Sequence, residues 1–148
     1  MHNKIVLFIA MAAFQFFSGE AVADPLRAAI TIDPIANLSS DHLVVTMSGT
    51  YSCGPLPQPQ EGSNFAFVTG SLAQASGREI ATGSLGFQPL CDDQLHPFEL
   101  GVHAGNIPWH GGKARVTATL SVQLCEFFPC ETASSSLDQQ ISVRGGGR

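Results

Sequence analysis

Apolar and polar residues alternate with a period of two along much of the chain beyond residue 27. Between residues 43 and 53, Leu43, Val45, Met47, Gly49, Tyr51 and Cys53 share one parity, and Val44, Thr46, Ser48, Thr50 and Ser52 the other. Successive side chains of a strand point to opposite faces, so this pattern predicts a half-buried strand with a mostly polar outer face. The clearest strand covers 113–124. There Ala114, Val116, Ala118, Leu120, Val122 and Leu124 alternate with Lys113, Arg115, Thr117, Thr119, Ser121 and Gln123. Weaker alternation predicts strands over 28–32, stopped by Asp33-Pro34, and over 65–74 and 78–87, joined by a turn at Ala75-Ser76-Gly77. Two more fall at 98–102 and 137–144, the last turning Ile141 and Val143 inward.

About seven short strands separated by Gly, Pro, Asp and Ser clusters predict an all-β fold, an antiparallel β-sandwich. A small closed barrel is the alternative. The run Leu56-Pro57-Gln58-Pro59-Gln60-Glu61-Gly62 is too rich in proline for a sheet interior and reads as an exposed loop.

The N-terminus follows another pattern. Lys4 precedes an apolar stretch over 5–17 broken only by Gln15, and Ala21-Val22-Ala23 then offers small residues where a signal peptidase reads. The stretch is short of the roughly 20 residues that cross a bilayer. The expectation is a signal peptide over 1–23, a sandwich domain over 24–144 and a flexible tail over 145–148. The mature chain would have no membrane span and would be exported, to a periplasm or beyond the cell.

Cysteine usage agrees with export. All four cysteines, Cys53, Cys91, Cys125 and Cys130, lie after the predicted cleavage point, and an even count in a small exported chain points to disulfides. Three pairings are possible. Cys125 and Cys130 are near neighbours with Pro129 to bend the segment between them, which leaves Cys53 for Cys91. Cys125 falls on the polar parity of its strand, so its bridge should staple a surface hairpin or loop. A structural zinc site would favour more closely spaced cysteine pairs.

Charge narrows the function classes. The net charge is −5, and Arg27, Arg78, Lys113, Arg115, Arg144 and Arg148 are scattered. Nucleic-acid binding needs clustered positive charge, so it is not expected here.

Several segments carry a resemblance. Ile30-Thr31-Ile32-Asp33-Pro34, Ser48-Gly49-Thr50-Tyr51-Ser52-Cys53, Ser71-Leu72-Ala73-Gln74, Cys91-Asp92-Asp93-Gln94-Leu95-His96 and Gly112-Lys113-Ala114-Arg115-Val116-Thr117-Ala118-Thr119-Leu120 run in order along the chain. Together they resemble a family of small secreted bacterial domains of uncharacterised function, which implies an immunoglobulin-like sandwich and carries over no catalytic residues. A fainter likeness, to the neocarzinostatin-type apoproteins, rests on the opening strand, the Cys125-x4-Cys130 spacing and Ile141-Ser142-Val143. Those proteins have a short-range first disulfide, whereas Cys53 and Cys91 lie far apart here, so the chromophore-binding role does not transfer.

Candidate chemistry is sparse. His96, His103 and His110 recur every seven residues, near Asp92, Asp93 and Glu99. Imidazole and carboxylate together suit zinc or copper, but positions seven apart on a strand face opposite sides. No serine sits in a G-x-S-x-G elbow, and no catalytic residue, metal site or cofactor is assigned. Trp109 in Pro108-Trp109-His110 and Phe127-Phe128-Pro129 between two cysteines are candidate binding anchors if exposed, or caps on the end of the sandwich if buried. The leading expectation is a non-enzymatic exported binding or interaction module for a protein, a glycan or a small apolar ligand. The alternatives are a protease inhibitor using the Pro-rich loop 54–62 and a metal-binding protein using His96, His103 and Asp92.

Overall fold

The computed structural model describes residues 25–57, 60, 62–126 and 128–145. The predicted signal peptide and most of the predicted tail lie outside the described residues. Eight strands run in chain order: β1 (Arg27–Ile32), β2 (Ile35–Leu38), β3 (Val44–Gly54), β4 (Phe65–Ser76), β5 (Glu79–Phe87), β6 (His96–His103), β7 (Gly112–Leu124) and β8 (Glu131–Gly145). The fold is all-β, as the alternation predicts.

Ladders divide the strands into two groups. β3 is paired antiparallel by β1 along one edge and by β6 along the other. β4 lies between β5 and β7, and β7 continues to β8, again antiparallel. β2 joins the groups: it is antiparallel to β3 and parallel to β8, with Ile35 opposite Ser142 and Leu38 opposite Gly145. The inward residues form one core, with Val45, Met47 and Tyr51 from β3, Val68 and Leu72 from β4, and Val116, Leu120 and Val122 from β7. This core defines a sandwich.

Two segments depart from the sequence reading. β2 is an eighth strand where about seven are expected. It has four residues directly after Pro34, too few for alternation to register, although Ala36 and Leu38 are buried as a strand's inner parity requires. Around it the chain shifts from pairing β3 alone to bridging β3 and β8. Asp33 N–H donates to the Ser48 carbonyl at 2.8 Å, and Ser142 N–H donates to the Pro34 carbonyl at 2.8 Å. β8 also starts earlier than predicted, at Glu131 instead of 137. Ser134, Ser135 and Ser136 read as loop in sequence, but β7 pairs with them in continuous register, and Thr119 and Ser136 share a hydroxyl hydrogen bond of 2.9 Å.

Both disulfides pair as the spacing suggests. Cys53–Cys91 ties the end of β3 to the β5–β6 connection across a separation of 38, and both cysteines are fully buried. Cys125–Cys130 closes the tip of the β7–β8 hairpin, just beyond the Leu124–Glu131 pair.

Candidate functional site

Trp109 precedes β7 and Phe128 follows it, so the two flank opposite ends of a strand roughly 40 Å long at about 3.3 Å per residue. Trp109 precedes the strand and is buried, with 1% of its surface exposed. Its indole Nε1 donates to the Val102 carbonyl at 3.1 Å, and its backbone N–H donates to the His42 carbonyl at 2.9 Å. A buried indole needs such a partner for its N–H. Gly83 gives the ring its seat, since a Cβ there would lie 2.9 Å from Trp109 Cζ2. Trp109 therefore closes one end of the sandwich, so of its two readings it is the cap and not the exposed binding anchor.

Phe128 is the opposite case. It is 97% exposed in the loop that Cys125–Cys130 closes, where the two cysteine Cα atoms stand 4.3 Å apart. Phe127 lies outside the described residues. Phe128 thus forms no single patch with Trp109.

Beside this loop is an open groove of about 550 Å³ lined by Leu26, Pro55, Leu56, Pro57, Leu124, Glu126 and Glu131. A smaller hollow of about 120 Å³, lined by Leu124, Glu126, Pro129 and Glu131, adjoins it. Local structure explains each wall. Leu26 enters ahead of β1, Leu124 ends β7, and Glu131 opens β8 directly opposite Leu124. Leu56 is drawn inward by its N–H, which donates to the Cys91 carbonyl at 2.9 Å, so one disulfide also positions the proline-rich wall. Gln60 anchors that loop further: its Nε2 donates to the Pro89 carbonyl at 2.8 Å, and its Oε1 accepts from Ala66 N–H at 2.8 Å. Asn64 Oδ1 accepts from Cys125 N–H at 2.6 Å and fastens the base of the hairpin tip.

The histidine set is dispersed. His96 Nε2 lies 2.7 Å from Asp92 Oδ1, and its ring stacks on Tyr51 with centroids 5.4 Å apart. This contact, together with the Gln94 N–H, holds the Asp92 carboxyl below its usual range. His103 ends β6, roughly 23 Å from His96 at its start. His110 hydrogen-bonds through its two ring nitrogens to the Gly111 and Ala75 carbonyls. Asp92 and His96 are thus brought together, and His103 and His110 are not.

Sequence reasoning picked out Phe128, and Leu56 only as part of the Pro-rich loop 54–62, but missed Leu26, Leu124, Glu126 and Glu131. One signal was available for the acids: each cysteine of the short bridge is followed directly by a glutamate.

Fold and groove together define a disulfide-bonded all-β domain that displays an aromatic residue and an open groove of mixed apolar and acidic lining at one end. The chain belongs to a family of unknown function, DUF6299, whose pattern matches residues 26–145. No curated protein and no solved structure matches it.

Proposed function

We propose that this protein is a non-enzymatic exported binding module whose site is the groove at the Cys125–Cys130 end, and that its ligand is a small apolar molecule. The observation that carries this reading is the groove itself: about 550 Å³ of open space floored by Leu26, Pro55, Leu56, Pro57 and Leu124, next to a loop presenting Phe128. That volume lies within the range of small-molecule sites, and apolar walls with few polar groups are their usual lining. An exposed aromatic on a covalently closed loop loses little freedom on binding, which favours its use as an anchor.

Export is supported by the leader pattern of Lys4, the apolar stretch and Ala21-Val22-Ala23, and by the oxidised cysteines. Among the described residues no helix is long and apolar enough to cross a membrane. Grouping β1, β3 and β6 apart from β8, β7, β4 and β5 is in keeping with an immunoglobulin-like arrangement. Fold alone does not assign a role, and the reading rests on the groove.

Nile red, a neutral dye that brightens in apolar surroundings, tests the site. It should bind saturably to the full oxidised chain, weaken several-fold with Phe128→Ala and be lost with Leu26→Ser. Absence of saturable binding, or binding indifferent to both substitutions, overturns the proposal.

A further inference from the structure

Two carboxylates share the groove with its apolar floor. Glu126 follows Cys125 on the tip side of the bridge, and Glu131 follows Cys130 on the strand side, opposite Leu124, so the bridge holds the two acids diagonally across the hairpin. Both line the groove and the adjoining hollow, with Leu124 common to both. No Lys, Arg or His is among the described lining residues, and among the described residues neither acid forms an ion pair. Like charges held near one another repel, and a cation between them relieves that repulsion.

From this arrangement we propose that the ligand is a cationic amphiphile, an apolar chain ending in an ammonium group. This deepens the reading of the groove as a binding site and rests on it. The chain would lie along Leu26, Pro55, Leu56 and Pro57. The charged end would sit at the junction of groove and hollow, between Glu126 and Glu131. Each half of such a ligand meets its complement: the hydrocarbon leaves water against apolar walls, and the ammonium faces two carboxylates. An anionic amphiphile of the same length would bring a like charge to the same junction.

Three amphiphiles with one tail and different heads separate the charge from the groove. Dodecyltrimethylammonium, dodecyl maltoside and dodecyl sulfate, each below its micellar concentration, are titrated by calorimetry into the full oxidised chain at low salt. Two exposed charge contacts predict that the ammonium binds about tenfold tighter than the maltoside, with the sulfate weakest. In Glu126→Gln/Glu131→Gln, or at 0.5 M salt, that advantage should fall to about twofold or less. Equal affinity for all three heads leaves the groove reading standing and overturns the cation assignment. A cationic preference that survives the double substitution also overturns it, and binding of none of the three overturns both readings.

Discussion

The side-chain amide of Gln74 on β4 clasps the backbone of His110 from both sides. Its Nε2 donates to the His110 carbonyl at 2.8 Å, while its Oε1 accepts from the His110 N–H at 3.0 Å. Gln74 is 1% exposed, the buried polar side chain of a core otherwise apolar among the described residues. The clasp fixes the residue next to Trp109 and so holds the β6–β7 connection over the end of the sandwich. Replacing Gln74 by alanine strands two partly buried backbone groups, which should cost about 1–3 kcal/mol. Urea unfolding checks the cost, and the emission of Trp109 should shift to the red as its cover loosens.

Gly83→Ala attacks the same closure from the other side. The added methyl would meet the backbone carbonyl oxygen of His103 first, and would come within 2.7 Å of Val102 Cγ1 and 2.9 Å of Trp109 Cζ2. Overpacking of this kind costs about 1–3 kcal/mol. A lower melting temperature with unchanged Nile red affinity is expected, because the groove lies at the far end of β7.

The disulfides should contribute unequally. In the chain-entropy model, closing the Cys53–Cys91 loop, with its separation of 38, stabilises by about 4 kcal/mol, and the Cys125–Cys130 loop, with its separation of 5, by about 2 kcal/mol. Cys53 and Cys91 are also fully buried, so the paired alanine substitutions there remove packing as well. Denaturant midpoints of the two double variants should fall in that order. Loss of the hairpin bridge should instead register mainly in ligand affinity.

Acid should weaken the fold through its surface carboxylates. Asp92 is lowered from 3.8 by the His96 hydrogen bond, Asp138 by its contact with Arg115, and Asp41 by the Ser39 hydroxyl. A carboxyl depressed in the folded state binds its proton more readily when unfolded, so its stabilising effect is present above 3.8 and disappears as pH falls through the lower folded value. Thermal melts should be flat in this respect near neutrality and decline below about pH 4. Asp138→Asn should reduce the acid-dependent part of the decline.

The sequence reveals most of the fold because alternation records which side of a strand is buried. β3 and β7 are legible almost to the residue, since Val45, Met47 and Tyr51, and Val116, Leu120 and Val122, all repeat at a spacing of two. β2 escapes because four residues after a proline carry too little pattern, and early β8 because serine is common in turns as well as on strand faces. Trp109 was ambiguous for a physical reason: an aromatic in a Pro- and Gly-rich connection can cap a core or reach for a partner, and the hydrogen bond to Val102 that decides between them is made across distant sequence. The groove is less legible still. Leu26, Leu56 and Leu124 converge only through pairing of β1 with β3, the Leu56–Cys91 contact and the β7–β8 hairpin.

Amide resonances of isotopically labelled oxidised protein, followed while dodecyltrimethylammonium is added, test the central claim most directly. Shifts should concentrate at Leu26, Leu56, Leu124, Glu126, Phe128 and Glu131, with the Trp109 indole unmoved. Changes centred on Trp109, or spread evenly over the sheets, would contradict a binding site at the Cys125–Cys130 end.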